Sequence, residues 1–241
     1  MMKRYIVYVK SLFLIALAVF LYGFSASRNG DKIVQASVVE FSNGANLFLS
    51  HEMVDKLLIQ NGGEADNKSK SLINLHKLES IVSENPLVEK VKVFMSVSGE
   101  LKTVITQRTP IARVNAGDEV YYIDKQGVKM PLSKNYSARV LLVSGGVLDS
   151  DLSSIYALVS KINSDSFLSE LVVGVHKKST GDFVLRTRKY DQYVEIGEIK
   201  DLNFKFKKLE AFYNEVIQSE ELEKYKTINL KFSNQVVCTK N

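Results

Sequence analysis

The feature that most limits what this chain can become is its beginning. From Ile6 to Phe24 only Lys10 and Ser11 are polar, and residues 1–30 carry Lys3, Arg4, Lys10 and Arg28 without a single acid. A helix over Ile6–Phe24 rises roughly 28 Å at about 1.5 Å per residue, close to the thickness of a bilayer's hydrocarbon core. Lys10 stands little more than a turn inside this stretch and can snorkel to the headgroups. Tyr5, Tyr8 and Tyr22 fall near its two ends, where interfacial aromatics gather. The spacing predicts a membrane anchor, with Ile6, Leu14, Leu17, Phe20 and Phe24 among its lipid-facing residues. Lys3 and Arg4 on a very short leader hold the N-terminus in the cytoplasm, so the remainder lies across the cytoplasmic (inner) membrane. The same residues also fit a cleaved export signal, because Ser25-Ala26-Ser27 is small enough for a peptidase. Either way the bulk of the chain is exported.

The anchor also accounts for the charge. The net charge is +5, from 32 basic and 27 acidic residues. Setting aside the four basic residues of the first thirty leaves a chain that is neutral to within one charge, so no nucleic-acid footprint is expected. Cys238 is the sole cysteine, which excludes an intramolecular disulfide. The three histidines, at 51, 76 and 176, have no metal-ligand spacing.

Residues 29–107 read as a first small domain. Asp31–Glu40 predicts a strand, broken at Asn43-Gly44. Ser50 then caps a helix carrying Val54, Leu57 and Leu58 on one face and stopped by Gly62-Gly63. Gly63–Ser71 is a polar loop. Asn74 caps a second helix with Leu75, Leu78 and Val82 on a stripe, ended by Asn85-Pro86 because the residue before proline avoids the helical region. The period then changes to two: Val91, Val93, Met95 and Val97 alternate with Lys90, Lys92, Phe94 and Ser96. Ser98-Gly99 turns the chain, and Leu101, Thr103 and Ile105 alternate on the way back. The order β-α-α-β-β implies a small sheet with two helices on one face.

The wording inside that order carries a resemblance. Asn74–Gln107, NLHKLESIVSENPLVEKVKVFMSVSGELKTVITQ, resembles the second half of a POTRA domain of the FtsQ/DivIB type. There a helix with a leucine–glutamate pair leads to Asn-Pro, then Val-Glu-Lys-Val and a hairpin. The likeness continues through Arg108-Thr109-Pro110-Ile111-Ala112-Arg113 to Tyr121-Tyr122-Ile123-Asp124, Gly127 and Met130-Pro131-Leu132-Ser133. The chain departs from the family at the hairpin, where Phe94-Met95-Ser96-Val97 stands in place of an Arg-Arg-Trp-Pro stretch.

Residues 108–241 read as a second domain, a mixed sheet flanked by helices. Ile111–Val114, Glu119–Ile123, Arg139–Ser144, Leu171–Val175, Phe183–Arg188 and Gln192–Ile196 are predicted strands, with a turn at Asp124-Lys125-Gln126-Gly127. Leu152, Ile155, Tyr156, Val159 and Ile162 form one helical stripe, and Leu202, Phe206, Leu209, Tyr213 and Val216 another. Thr227–Phe232 and Val236–Cys238 close the chain. No proline or glycine interrupts Thr227–Val237, so this ribbon at a free sheet edge offers main-chain donors and acceptors to another chain. A covered or internal strand fits the same pattern. The resemblance implies the former: FtsQ-like proteins receive there a strand of FtsB (DivIC in other bacteria), itself coiled with FtsL. The expected partner-binding residues are Ile228, Leu230, Lys231, Phe232, Asn234 and Val236. The family's Asp-Leu-Arg-Tyr wording appears as Asn229-Leu230-Lys231-Phe232, which lacks arginine's planar fork and the tyrosine hydroxyl.

No catalytic, cofactor or small-molecule site is expected. His51-Glu52 starts like a zinc-protease motif, but Asp55 stands where its second histidine belongs. There is no G-x-S-x-G elbow, P-loop or G-x-G-x-x-G, and Ser144-Gly145-Gly146 reads as a strand-ending turn. The runs Lys205–Lys208 and Arg186–Lys189 read as solvated faces, with lipid phosphate or anionic wall polymer as the alternative. The resemblance therefore implies an α+β, single-span, non-enzymatic scaffold at the division septum, with FtsB/DivIC-like and FtsL-like single-span partners. The alternatives are another POTRA-bearing exported protein that handles polypeptides, or an exported hydrolase.

Overall fold

The computed structural model describes residues 2–30, 37–42, 47–62, 73–96, 98–218 and 221–240. The predicted strand residues 31–36, the Asn43-Gly44 break, the polar loop 63–71 and Val97 lie outside the described residues. The chain divides into two compact units, Met1–Gln107 and Arg108–Asn241.

The first unit begins with a 29-residue helix, α1 (Met2–Gly30). Its segment Tyr8–Ser27 has a mean hydropathy of 1.9 and no buried residue, so it is long and apolar enough to cross a membrane. Leu14, Leu17, Phe20 and Phe24 are all exposed on it, and Ile6 lies within its helical backbone.

Three strands and two helices follow: β1 (Ser37–Phe41), α2 (His51–Gly62), α3 (Leu75–Ser83), β2 (Val88–Met95) and β3 (Leu101–Gln107). Both expected caps form, with Ser50 Oγ accepting from Met53 N–H at 3.3 Å and Asn74 Oδ1 from Lys77 N–H at 3.0 Å. The sheet order is β1-β3-β2, with β1 parallel and β2 antiparallel to β3. Alternate residues Leu101, Thr103 and Ile105 pack inward with Val54, Leu78, Val82 and Val93. Buried Gln107 ties the segment before α2 to β3. Its Oε1 accepts from Phe48 and Leu49 N–H, and its Nε2 donates to Leu49 O.

The second unit is built on one nine-stranded sheet. Its elements are β4 (Pro110–Ala116), β5 (Glu119–Asp124), β6 (Lys129–Met130), β7 (Leu141–Gly145), α4 (Leu152–Ser164), α5 (Ser166–Leu171), β8 (Val172–Lys177), β9 (Phe183–Thr187), β10 (Tyr193–Gly197), α6 (Leu202–Gln218), β11 (Tyr225–Asn229) and β12 (Val237–Lys240). The order across the sheet is β12-β11-β10-β9-β8-β7-β4-β5-β6. Three pairs are parallel, β4–β7, β7–β8 and β10–β11; β5 and β6 lie in the connection of the first, and α4–α5 and α6 supply the crossovers of the other two. Ile155, Leu158 and Ile162 of α4 and Phe206 and Leu209 of α6 share one core with Val114, Val143, Val175, Leu185, Val194 and Ile228. The helices therefore cover one face of the sheet.

Two elements were not legible. α5 replaces the first residue of a predicted strand: Asp165 Oδ1 caps it by accepting from Leu168 N–H at 3.1 Å, and Leu168 is fully buried. β6 is only two residues long, too short for a periodic signal. Gly145 at the end of β7 is required by space, since a Cβ there would lie 2.0 Å from Lys177 O at φ +101°.

Candidate partner-binding edge

The sheet of the second unit has two edges. β6 at one side is two residues long, and very short edge strands accept little. β12 at the other side is four residues long, with Val237, Thr239 and Lys240 exposed. The ribbon predicted to be the edge is thus a hairpin. β11 lies between β10, to which it is parallel, and β12, to which it is antiparallel. This corrects the expectation for Ile228 and Leu230, whose side chains are 0% and 1% exposed and belong to the core. They support the edge from within and offer no surface to a partner.

The direction of each main-chain group in the hairpin follows from one bond. Leu230 N–H donates to Glu195 O at 2.9 Å. N–H and C=O of a strand residue point to the same side and alternate along the chain. Ile228, two residues back, therefore faces β10, while Thr227 and Asn229 face β12. Their register partners are Thr239 and Val237. Cys238, between those two, turns its N–H and C=O away from β11 to the open side. Val236, just before the strand, shares that parity.

Three groups of side chains hold this hairpin in place. Gln192, fully buried, donates from Nε2 to Leu222 O at 2.7 Å and Tyr225 O at 2.9 Å, fixing the entry to β11. Its Oε1 accepts from Tyr213 Oη at 2.7 Å. Burial pushes the Tyr213 phenol well above its ordinary value, so it stays a neutral donor. At the other end, Lys208 Nζ of α6 donates to Leu230 O at 3.2 Å and Phe232 O at 2.5 Å, holding the β11–β12 loop. Lys205 Nζ does the same for β10, donating to Ile196 O and Glu198 O, both at 2.8 Å. Burial lowers the pKa of both amines. Two lysines of the basic run are therefore internal clamps, and Lys207 alone of its three lysines is exposed.

Lys231 and its neighbours form the third group. Lys231 Nζ stands 3.4 Å from Asp182 and 3.7 Å from Glu195, whose other oxygen pairs with Lys178 at 2.6 Å. Asn229 Nδ2 also donates to Glu195 at 3.3 Å. Phe232 is 48% exposed and Asn234 is exposed, both in the loop between the strands, while Val236 is half-buried against the core. Phe232 and Asn234 thus stand exposed in the loop and Val236 half-buried beside it, while Lys231 leans back toward Asp182 and Glu195 on the β9–β10 side. The residue missed was Cys238, whose outward main chain can be read only from the register.

The other face of the sheet is partly open: Tyr122 and Met130 are buried on it at the β5–β6 end, whereas Leu142, Arg186, Tyr193 and Thr239 are exposed. Arg113, Leu142, Gly174, Arg186, Tyr193, Thr227 and Thr239 form one cross-strand row along it. Ser144 Oγ and His176 Nδ1 are 3.1 Å apart in the neighbouring row, as adjacent residues across β7 and β8. His51 opens α2 with its ring edge-on to Phe41, and His76 is 3.9 Å from the Glu79 carboxylate. No group of three or more metal-ligating side chains occurs among the described residues.

The architecture is an apolar helix long enough to cross a membrane, followed by an α+β body whose large mixed sheet ends in a short C-terminal hairpin. Residues 109–239 match the family model described as FtsQ/DivIB, C-terminal related, and the chain belongs to the FtsQ/DivIB family. Cell division protein DivIB of Clostridium acetobutylicum is 25% identical over 75 residues, which cover 31% of this chain and 30% of that relative. The match thus spans about a third of the relative's length. The FtsQ/DivIB family is one of non-enzymatic division proteins.

Proposed function

We propose that this chain is a membrane-anchored scaffold of the division machinery that captures a partner strand at β12. Its POTRA-like first unit and its second unit lie outside the cytoplasm, and the partner is FtsB/DivIC-like, coiled with an FtsL-like chain. The observation that carries this reading is the outward N–H and C=O of Cys238 on the free edge. A strand laid there gains main-chain bonds with a partner already confined to the membrane plane, where effective concentration is high. The exposed Val237 and the loop residues Phe232 and Asn234 frame the same edge and supply side-chain contacts.

Paired proline variants test it. Cys238→Pro deletes an outward donor, and Val236→Pro acts just before the strand, whereas Thr239→Pro deletes a bond inside the hairpin. Co-purification with the FtsB/DivIC-like partner is expected to fall about tenfold for Cys238→Pro at unchanged stability. Recovery of the partner at the wild-type level would rule out strand capture. A fluorescent fusion is expected to form a midcell band; an even rim would count against a septal role.

A further inference from the structure

The first unit has a longer free edge than the second, and one side chain covers its middle. β2 is eight residues long and pairs only with β3 among the described residues. Val93 N–H donates to Glu79 Oε1 of α3 at 2.8 Å. Ser96 N–H points into the hairpin, to Glu100 O at 2.9 Å. With no irregularity between Val91 and Met95, Val91, Val93 and Met95 therefore turn their main-chain groups outward, and Lys92 and Phe94 turn theirs to β3. Glu79 takes the central one of three outward donors.

We propose that Glu79 is a guard that closes the β2 edge to strand addition. A carboxylate at this place acts twice. It satisfies the Val93 donor that an incoming strand would use, and it sets a negative oxygen where that strand's carbonyl oxygen must arrive. Any strand that joins β2 must first displace Glu79. The guard is built from α3, which packs on the sheet, so it needs no covering element.

The strand most available to an unguarded edge is β2 of a second copy, paired antiparallel about a two-fold axis near Val93. The test uses the full chain in detergent micelles, with residue-resolved amide exchange and sedimentation at rising protein concentration. Val93 is expected to be protected in the wild type, with Val91 and Met95 exchanging fast. Glu79→Ala is expected to speed Val93 exchange about tenfold or more and to produce self-association. Glu79→Gln keeps an acceptor for the Val93 N–H but loses the negative charge, so it is expected to hold the Val93 amide near the wild-type rate and to self-associate less than Glu79→Ala; Glu79→Asp, one methylene short, is expected to free the Val93 amide and serves where the alanine variant is too unstable. Adding Val93→Pro to Glu79→Ala removes the freed donor and abolishes association. Slow exchange at Leu101 and Ile105 shows that the fold persists. An unchanged Val93 amide in Glu79→Ala, or a freed amide without association, would overturn the proposal.

Discussion

Tyr213 Oη donates to Gln192 Oε1 across 2.7 Å in the core of the second unit, joining α6 to the start of β10. Gln192 uses both ends of its amide at once, since its Nε2 also serves the carbonyls of Leu222 and Tyr225. The entrance to the terminal hairpin is thus set by a side chain that never reaches solvent.

Gln192→Leu removes a donor from the Leu222 and Tyr225 carbonyls, of which Leu222 O keeps the Tyr225 N–H, and takes the acceptor from the buried Tyr213 phenol. A loss of about 2–4 kcal/mol in unfolding free energy is expected by urea titration, since each orphaned buried group costs on the order of 1–3 kcal/mol. Tyr213→Phe orphans one acceptor and is expected to cost about 1–2 kcal/mol.

A second internal tie explains part of the wording shared with the family. Asp124, 1% exposed, accepts from Arg108 Nη1 at 2.8 Å, and its other oxygen takes Gln126 and Val128 N–H at 2.9 and 2.8 Å. Asp124→Ala strands the largely buried Arg108 guanidinium and undoes the turn, with an expected cost of about 3–5 kcal/mol in the same titration.

Clamping by Lys208 is tested by Lys208→Met, which keeps the stem and removes the donor. Its ammonium serves Leu230 O and Phe232 O. The expected loss is about 1.5–3 kcal/mol. Amide exchange is expected to rise at residues 231–236, while β7 and β8 stay unchanged.

The pair Lys177–Asp151, 2.5 Å apart with side chains 12% and 19% exposed, predicts an acid-limb dependence. Burial alone would raise the Asp151 pKa. The Lys177 ammonium and Leu148 N–H outweigh it and hold the carboxyl below its ordinary value of 3.8. A carboxyl with a depressed folded pKa contributes stability above its unfolded value and loses it as pH falls through the folded one. Stability is therefore expected to drop below about pH 4, and Asp151→Asn to flatten that drop in thermal melts at stepped pH.

How much was legible depended on whether a feature is periodic. Ser50, Asn74 and the Leu152–Ile162 stripe announce helices by local chemistry, and the alternation of Leu101–Ile105 announces a half-buried strand. The break between Thr227–Phe232 and Val236–Cys238 shows in sequence only as a gap in the alternation, because Lys231–Asn234 carry neither glycine nor proline. The chain turns there because Lys208, twenty-two residues before Leu230, holds the carbonyls of Leu230 and Phe232. That is a tertiary contact. The same holds for Lys205, which reads as a solvated charge in sequence and is a main-chain partner in the fold, and for Glu79, whose bond to Val93 N–H no local pattern announces. The family resemblance puts Ile228 and Leu230 at the partner surface, whereas alternation alone marks a buried face without saying what buries it.

The most direct test of strand capture at β12 is the exchange rate of the Cys238 amide, measured with and without the FtsB/DivIC-like partner in its complex with the FtsL-like chain. Fast exchange in the chain alone and strong protection on binding are expected, with Val237 and Thr239 already protected in both states. A bound complex in which the Cys238 amide still exchanges as freely as before would contradict strand capture.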